Sequence, residues 1–144
     1  HMLFNCTEIM VGPRTYEELL LDYDIATSAL CAQLGVGLSL HHCGRFDRFA
    51  PLYRRLGPMV LIEIGSESNV RLALDMFPEA KIQYIMPTAL MCQGTRAQVG
   101  ERIDALLEAG RGDWRRLYLS VADLEFGMPD CNLFEVYERL RRAA

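Results

Sequence analysis

The spacing of apolar residues along this chain switches several times between a two-residue and a helical period. Val36, Leu38 and Leu40 alternate with Gly37, Ser39, His41 and Cys43, which predicts a strand over 36–42 with one packed face and one small, polar face. Gly44 ends it. Residues 3–9 read as an earlier strand broken by Gly12-Pro13, and 59–64 is an apolar run of buried-strand length closed by Gly65. Two further strands are predicted over 81–86 and 117–121. Between the strands the period lengthens. Residues 14–34 form a helical stretch with Leu19, Leu20, Tyr23, Ile25, Leu30 and Leu34 as apolar positions, stopped by Gly35. A short helix over 46–56 ends at Gly57-Pro58, and one over 68–77 has Ser66 or Ser68 as its N-cap. Residues 95–109 are amphipathic through Val99, Ile103, Leu106 and Leu107, and the last helix spans 134–142, with Asp130 or Asn132 as candidate caps.

Strands alternating with helices in this way imply βα units and a parallel sheet covered by helices, hence an α/β fold. The count is about five units. A closed eight-stranded barrel needs roughly 250 residues, so the sheet is either open or one part of a barrel whose other strands lie elsewhere. No linker or low-complexity tract divides the chain, and 3–144 reads as a single domain.

Composition narrows the setting. With 144 residues, 51% of them hydrophobic, the chain has material for a sizeable core. A net charge of −4, with Lys81 the single lysine, argues against a nucleic-acid or anionic-membrane surface. No tract resembles a membrane span or an export signal, so a cytoplasmic protein is expected. His1-Met2 reads as a cloning remnant, and His1 is left out of any ligand count. The five cysteines, Cys6, Cys31, Cys43, Cys92 and Cys131, are odd in number and contain no CxxC pair. Reduced thiols are expected, and neither a zinc ribbon nor a thioredoxin-type site.

The candidate chemistry lies at the end of the second strand. His41 and Cys43 are two residues apart and project from one face at a strand's C-terminal end, where ligands sit in parallel α/β folds. Imidazole and thiolate are good zinc ligands. The bland reading is a buried histidine and a small thiol filling space. His42 points the other way and is expected to be structural. Glu63 interrupts an apolar strand and would share the mouth-facing side with Leu61 and Gly65. Either it orients a ligand histidine or binds substrate, or it forms an internal ion pair with an arginine. Asn5, with Cys6, lies near the end of the first strand and is a candidate substrate contact.

Four stretches carry a resemblance. Pro13-Arg-Thr-Tyr-Glu-Glu-Leu-Leu-Leu, Leu40-His-His-Cys-Gly, Glu63-Ile-Gly and the helix from Ala97 through Leu-Leu-Glu-Ala-Gly110, followed by a Gly-x-Pro segment, resemble the C-terminal part of the uroporphyrinogen decarboxylase superfamily. That superfamily includes the methylcobamide:coenzyme M methyltransferases. The resemblance covers nearly the whole chain and implies the later part of a (βα)8 barrel, with the earlier strands and the decarboxylase's arginine motif and aspartate absent. It further implies zinc held by an H-x-C pair, matched by His41 and Cys43, and by a distal cysteine. In the family that cysteine follows the last strand, a place occupied here by Ala122-Asp-Leu-Glu125, so Cys131, Asp123 or Glu125 is the third ligand. Asp123 is also a candidate substrate contact. The family's Gly-Asn pair after Gln83 is missing.

The resemblance therefore implies a zinc-dependent methyltransferase that activates a small thiol and takes its methyl group from a corrinoid on a partner protein. The alternative within the family is a tetrapyrrole decarboxylase, which needs no metal. The alternative of another class is a non-catalytic barrel fragment or oligomerisation module, inactive alone, whose open strand edges pair with a second copy.

Overall fold

β-Branched and long apolar residues at alternating positions build the strands of this computed structural model, which describes residues 1–5, 11–122 and 125–143. In chain order the elements are β1 (Met2–Asn5), α1 (Pro13–Leu19), α2 (Leu21–Gln33), β2 (Ser39–His42), α3 (Ala50–Tyr53), β3 (Leu61–Ile64), α4 (Val70–Met76), β4 (Lys81–Ile85), α5 (Thr88–Gln93), α6 (Arg96–Ala109), β5 (Leu117–Ser120) and α7 (Asp130–Ala143). Single 3-10 turns at Phe46–Arg48 and Arg54–Leu56 flank α3.

All strand pairs are parallel, and their spatial order is their sequence order, β1-β2-β3-β4-β5. Every crossover thus steps in one direction. Right-handed connections then place the covering helices on one side of the sheet. Burial follows that geometry. Leu40, His42, Ile62, Ile64, Ile82 and Tyr84 are completely buried on the helix side, whereas Ser39, His41, Leu61, Glu63, Gln83 and Ile85 on the other face are only half-buried. Consecutive strands of a (βα)8 barrel are arranged in this way, the second face being the barrel interior. The described residues form a five-strand, all-parallel sheet alternating with helices.

The core lies between sheet and helices. Phe46, Phe49, Tyr53 and Tyr16 form an aromatic group, with Phe46 and Phe49 each stacked on Tyr53 and Tyr16 edge-on to it. Side chains cap the starts of α4 and α6: Asn69 accepts from the Leu72 amide at 3.1 Å, and Thr95 forms a capping box with Gln98.

The elements differ from the sequence expectation in instructive ways. The strand expected over 3–9 is described as far as Asn5, and residues 6–10, including Cys6, lie outside the described residues. The helix expected over 14–34 is two helices. Leu20, at φ −120° and ψ −33°, leaves the helical region between them. That break turns the buried stripe: Tyr16, Leu21, Ser28 and Cys31 face the core, while Leu19, Leu20, Tyr23, Leu30 and Leu34 are exposed. The cap of α4 is Asn69 rather than Ser66 or Ser68. The last helix starts at Asp130, four residues earlier than its apolar pattern. Among the described residues no helix is long and apolar enough to cross a membrane, and none of the described cysteines is in a disulfide.

Candidate functional site

Sheet register sets one row of side chains across the open face. His41 pairs with Glu63, Glu63 with Gln83 and Gln83 with Tyr118, while Phe4 flanks His41 on the other side. Adjacent parallel strands lie close to 4.8 Å apart, so long polar side chains at one level reach each other. They do so here as a chain. Gln83 Nε2 donates to Glu63 Oε1 at 2.7 Å, Glu63 Oε2 binds His41 Nδ1, and His41 Nε2 faces Cys43 Sγ at 2.8 Å. The His41 and Glu63 side chains are 15% and 16% exposed, dry enough for the contacts to hold and open enough for a ligand to arrive. The Phe4 ring leans on the imidazole with centroids 5.5 Å apart.

The chemistry of the donors fixes the proton on the ring. An ionised carboxylate only accepts hydrogen bonds, so Nδ1 carries a hydrogen directed at Glu63. In the neutral ring Nε2 then offers its lone pair toward Cys43. Carboxylate, histidine and open nitrogen in this order are the usual support of a metal-ligating imidazole.

Backbone packing positions Cys43. Gly65, just past β3, has the Cys43 carbonyl where a side chain would begin: an added Cβ would stand 1.8 Å from that oxygen and 2.6 Å from the Gly44 oxygen. Only glycine permits this approach. Ser68 fastens the same turn, accepting from the Phe46 amide and donating to the Gly44 carbonyl, each at 3.0 Å. Asp47 accepts from the Asn69 amide at 2.8 Å. The neighbouring Ser66 carbonyl is held by the Tyr84 hydroxyl and by Arg102, both at 2.6 Å. Burial pushes the Tyr84 phenol above its ordinary pKa, opposed by the Arg102 guanidinium.

These residues border a cavity of about 370 Å³ lined by His41, Cys43, Glu63, Ser66, Thr88 and the segment through Met86, with Ala122 closing one side. It lies at the C-terminal ends of the strands, where parallel α/β folds place their sites. The other candidates are placed elsewhere or not described. His42 points into the core, where its Nδ1 lies 2.8 Å from the Tyr53 hydroxyl. Asn5 is also on the helix side, donating to that same hydroxyl, so its side chain does not share the face of His41. Cys131 sits in the first turn of α7, exposed, and neither it nor Glu125 lines the cavity. Asp123 lies outside the described residues.

His41 Nε2 and Cys43 Sγ fit a zinc ion as two of its ligands. Ordinary bond lengths and tetrahedral angles separate such N and S donors by about 3.6 Å, wider than the 2.8 Å found here. Glu63 stands on the far side of the imidazole, at Nδ1. Among the described residues no three His, Cys, Asp or Glu side chains form a complete ligand set.

Sequence reasoning missed Gln83, Ser66 and Thr88. Gln83 left a signal, because Lys81, Gln83 and Ile85 alternate onto the open face. Thr88 belongs to a helix of six residues, too short to show a period. The chain matches no family model and no curated protein.

Proposed function

We propose that this chain carries the zinc-binding part of a methyltransferase that activates a small thiol, with the methyl group coming from a corrinoid on a partner protein. One observation carries the reading: a histidine fixed at Nδ1 by a carboxylate directs Nε2 at a cysteine sulfur over an open cavity. His41 and Cys43 hold the ion, and Glu63 keeps the imidazole in the ligating tautomer. Zinc supplies acidity there, so that a thiol beside it is a thiolate near neutral pH. The cavity admits a small acceptor next to Cys43, with Ile85 and Met86 as apolar parts of its lining. The resemblance in the His-x-Cys-Gly and Leu-Leu-Glu-Ala-Gly stretches supports the same class.

The test is metal content. Protein purified without chelator is expected to hold about one zinc per chain, lost in His41→Ala and Cys43→Ala. A metal-free wild-type protein in which Cys43 reacts rapidly with an alkylating agent would instead favour His41 and Glu63 as base and orienter of a nucleophilic thiol.

A second reading, assembly with another copy, is supported by the sheet edges. Tyr23 and Phe4 beside β1, and Trp114 and Tyr118 beside β5, are large apolar groups left exposed. Sedimentation is expected to show a dimer or larger. A monomer at all concentrations would remove this reading.

A further inference from the structure

Gln83 does not itself line the cavity and reaches it through Glu63. Its amide spends a donor on Glu63 Oε1 at 2.7 Å. A half-buried carboxylate without that bond has two equivalent oxygens and several rotamers from which to meet the imidazole. With it, Oε1 is engaged, and Oε2 alone faces His41 Nδ1. The strand register makes the arrangement rigid, because Gln83, Glu63 and His41 sit directly opposite one another on β4, β3 and β2.

We propose that Gln83 is a positioning residue: acting through Glu63, it locks His41 in the tautomer whose Nε2 is free to ligate. It touches no reacting atom. Its effect on metal affinity rests on the zinc reading above, whereas its effect on the imidazole tautomer does not. Charge-neutral donors two hydrogen bonds removed from a metal ligand act by orientation, and loss of outer partners costs roughly 10–100-fold in affinity. Gln83, one step further out than Glu63, is expected near the lower end.

The experiment is a double-mutant cycle on the full chain with Gln83→Leu, Glu63→Ala and the pair. Two readouts are taken: cobalt(II) affinity, and the His41 tautomer by nitrogen NMR of the metal-free protein. Thermal melts confirm that each variant is folded. Gln83→Leu is expected to weaken cobalt binding about tenfold and to populate the second tautomer. In the Glu63→Ala background the same substitution should change neither. Losses that add independently across the cycle, or a tautomer unchanged in Gln83→Leu, would overturn the proposal. If wild-type protein binds no cobalt, the zinc reading falls, and the tautomer arm still decides the role of Gln83.

Discussion

The two ends of the sheet use their polar groups in opposite ways. At the N-terminal end, Arg116 precedes β5 and donates to the carbonyls of Phe77 and Ala80 at 3.0 and 3.2 Å and to Leu74 at 3.3 Å. It also binds Asp113 at 2.6 Å, which in turn holds Arg71 at 2.8 Å. Every one of these charges is consumed in closing the end of α4 and the start of two strands. At the C-terminal end the chain from Gln83 through Glu63 and His41 ends at a nitrogen and a sulfur facing an open cavity. One end spends its hydrogen bonds on the backbone, while the other uses them to hold donor atoms ready. Structure and chemistry are thus separated along the strand axis.

The comparison can be broken most severely at Gly65, where the functional end depends on backbone packing. Gly65→Ala forces a methyl onto the Cys43 carbonyl and should cost about 3 kcal/mol while also abolishing metal retention. A melt near wild type would show that the Cys43 turn shifts freely, and that it is not held where we describe it. Arg116→Ala should act in the opposite sense, lowering stability by about 2 kcal/mol, roughly 6 °C in Tm, and leaving metal content unchanged. Equal effects of the two substitutions on metal would dissolve the separation.

Acid sharpens it further. Hydrogen bonds from Arg116, and then from Arg71, hold the Asp113 carboxyl below its ordinary pKa. Its contribution to stability is therefore complete above the unfolded value of about 3.9 and is lost as pH falls through the lower folded value. In Arg116→Ala that acid-dependent loss should shrink, which a series of melts from neutral to strongly acidic pH would show.

Much of this was legible before any coordinates. Alternation alone placed Leu38 and Leu40 on the packed face and Ser39, His41 and Cys43 on the other, because side chains on a strand alternate whatever the partner strands do; Val36, expected beside them, precedes the strand and is exposed. The βα order and the parallel sheet followed from the same rule. Register was not legible: nothing in the local pattern says that His41, Glu63 and Gln83 fall at one level, since that depends on how three separate strands slide against each other. The break at Leu20 carried no glycine or proline to mark it, and it reassigned the buried stripe of two helices. Asn69 and Ser68 are both good caps, and only the fold chose between them. Asn5 was misread for a simpler reason, because one residue along a strand is the opposite face.

The central claim is that His41 Nε2 and Cys43 Sγ are a pair of metal donors, and cobalt(II) titration tests it most directly. A thiolate bound to cobalt gives a charge-transfer band in the near ultraviolet. The account predicts that this band rises to an end point at one equivalent in wild-type protein and is absent in Cys43→Ser. A titration with no such band, or one unchanged by Cys43→Ser, would contradict it.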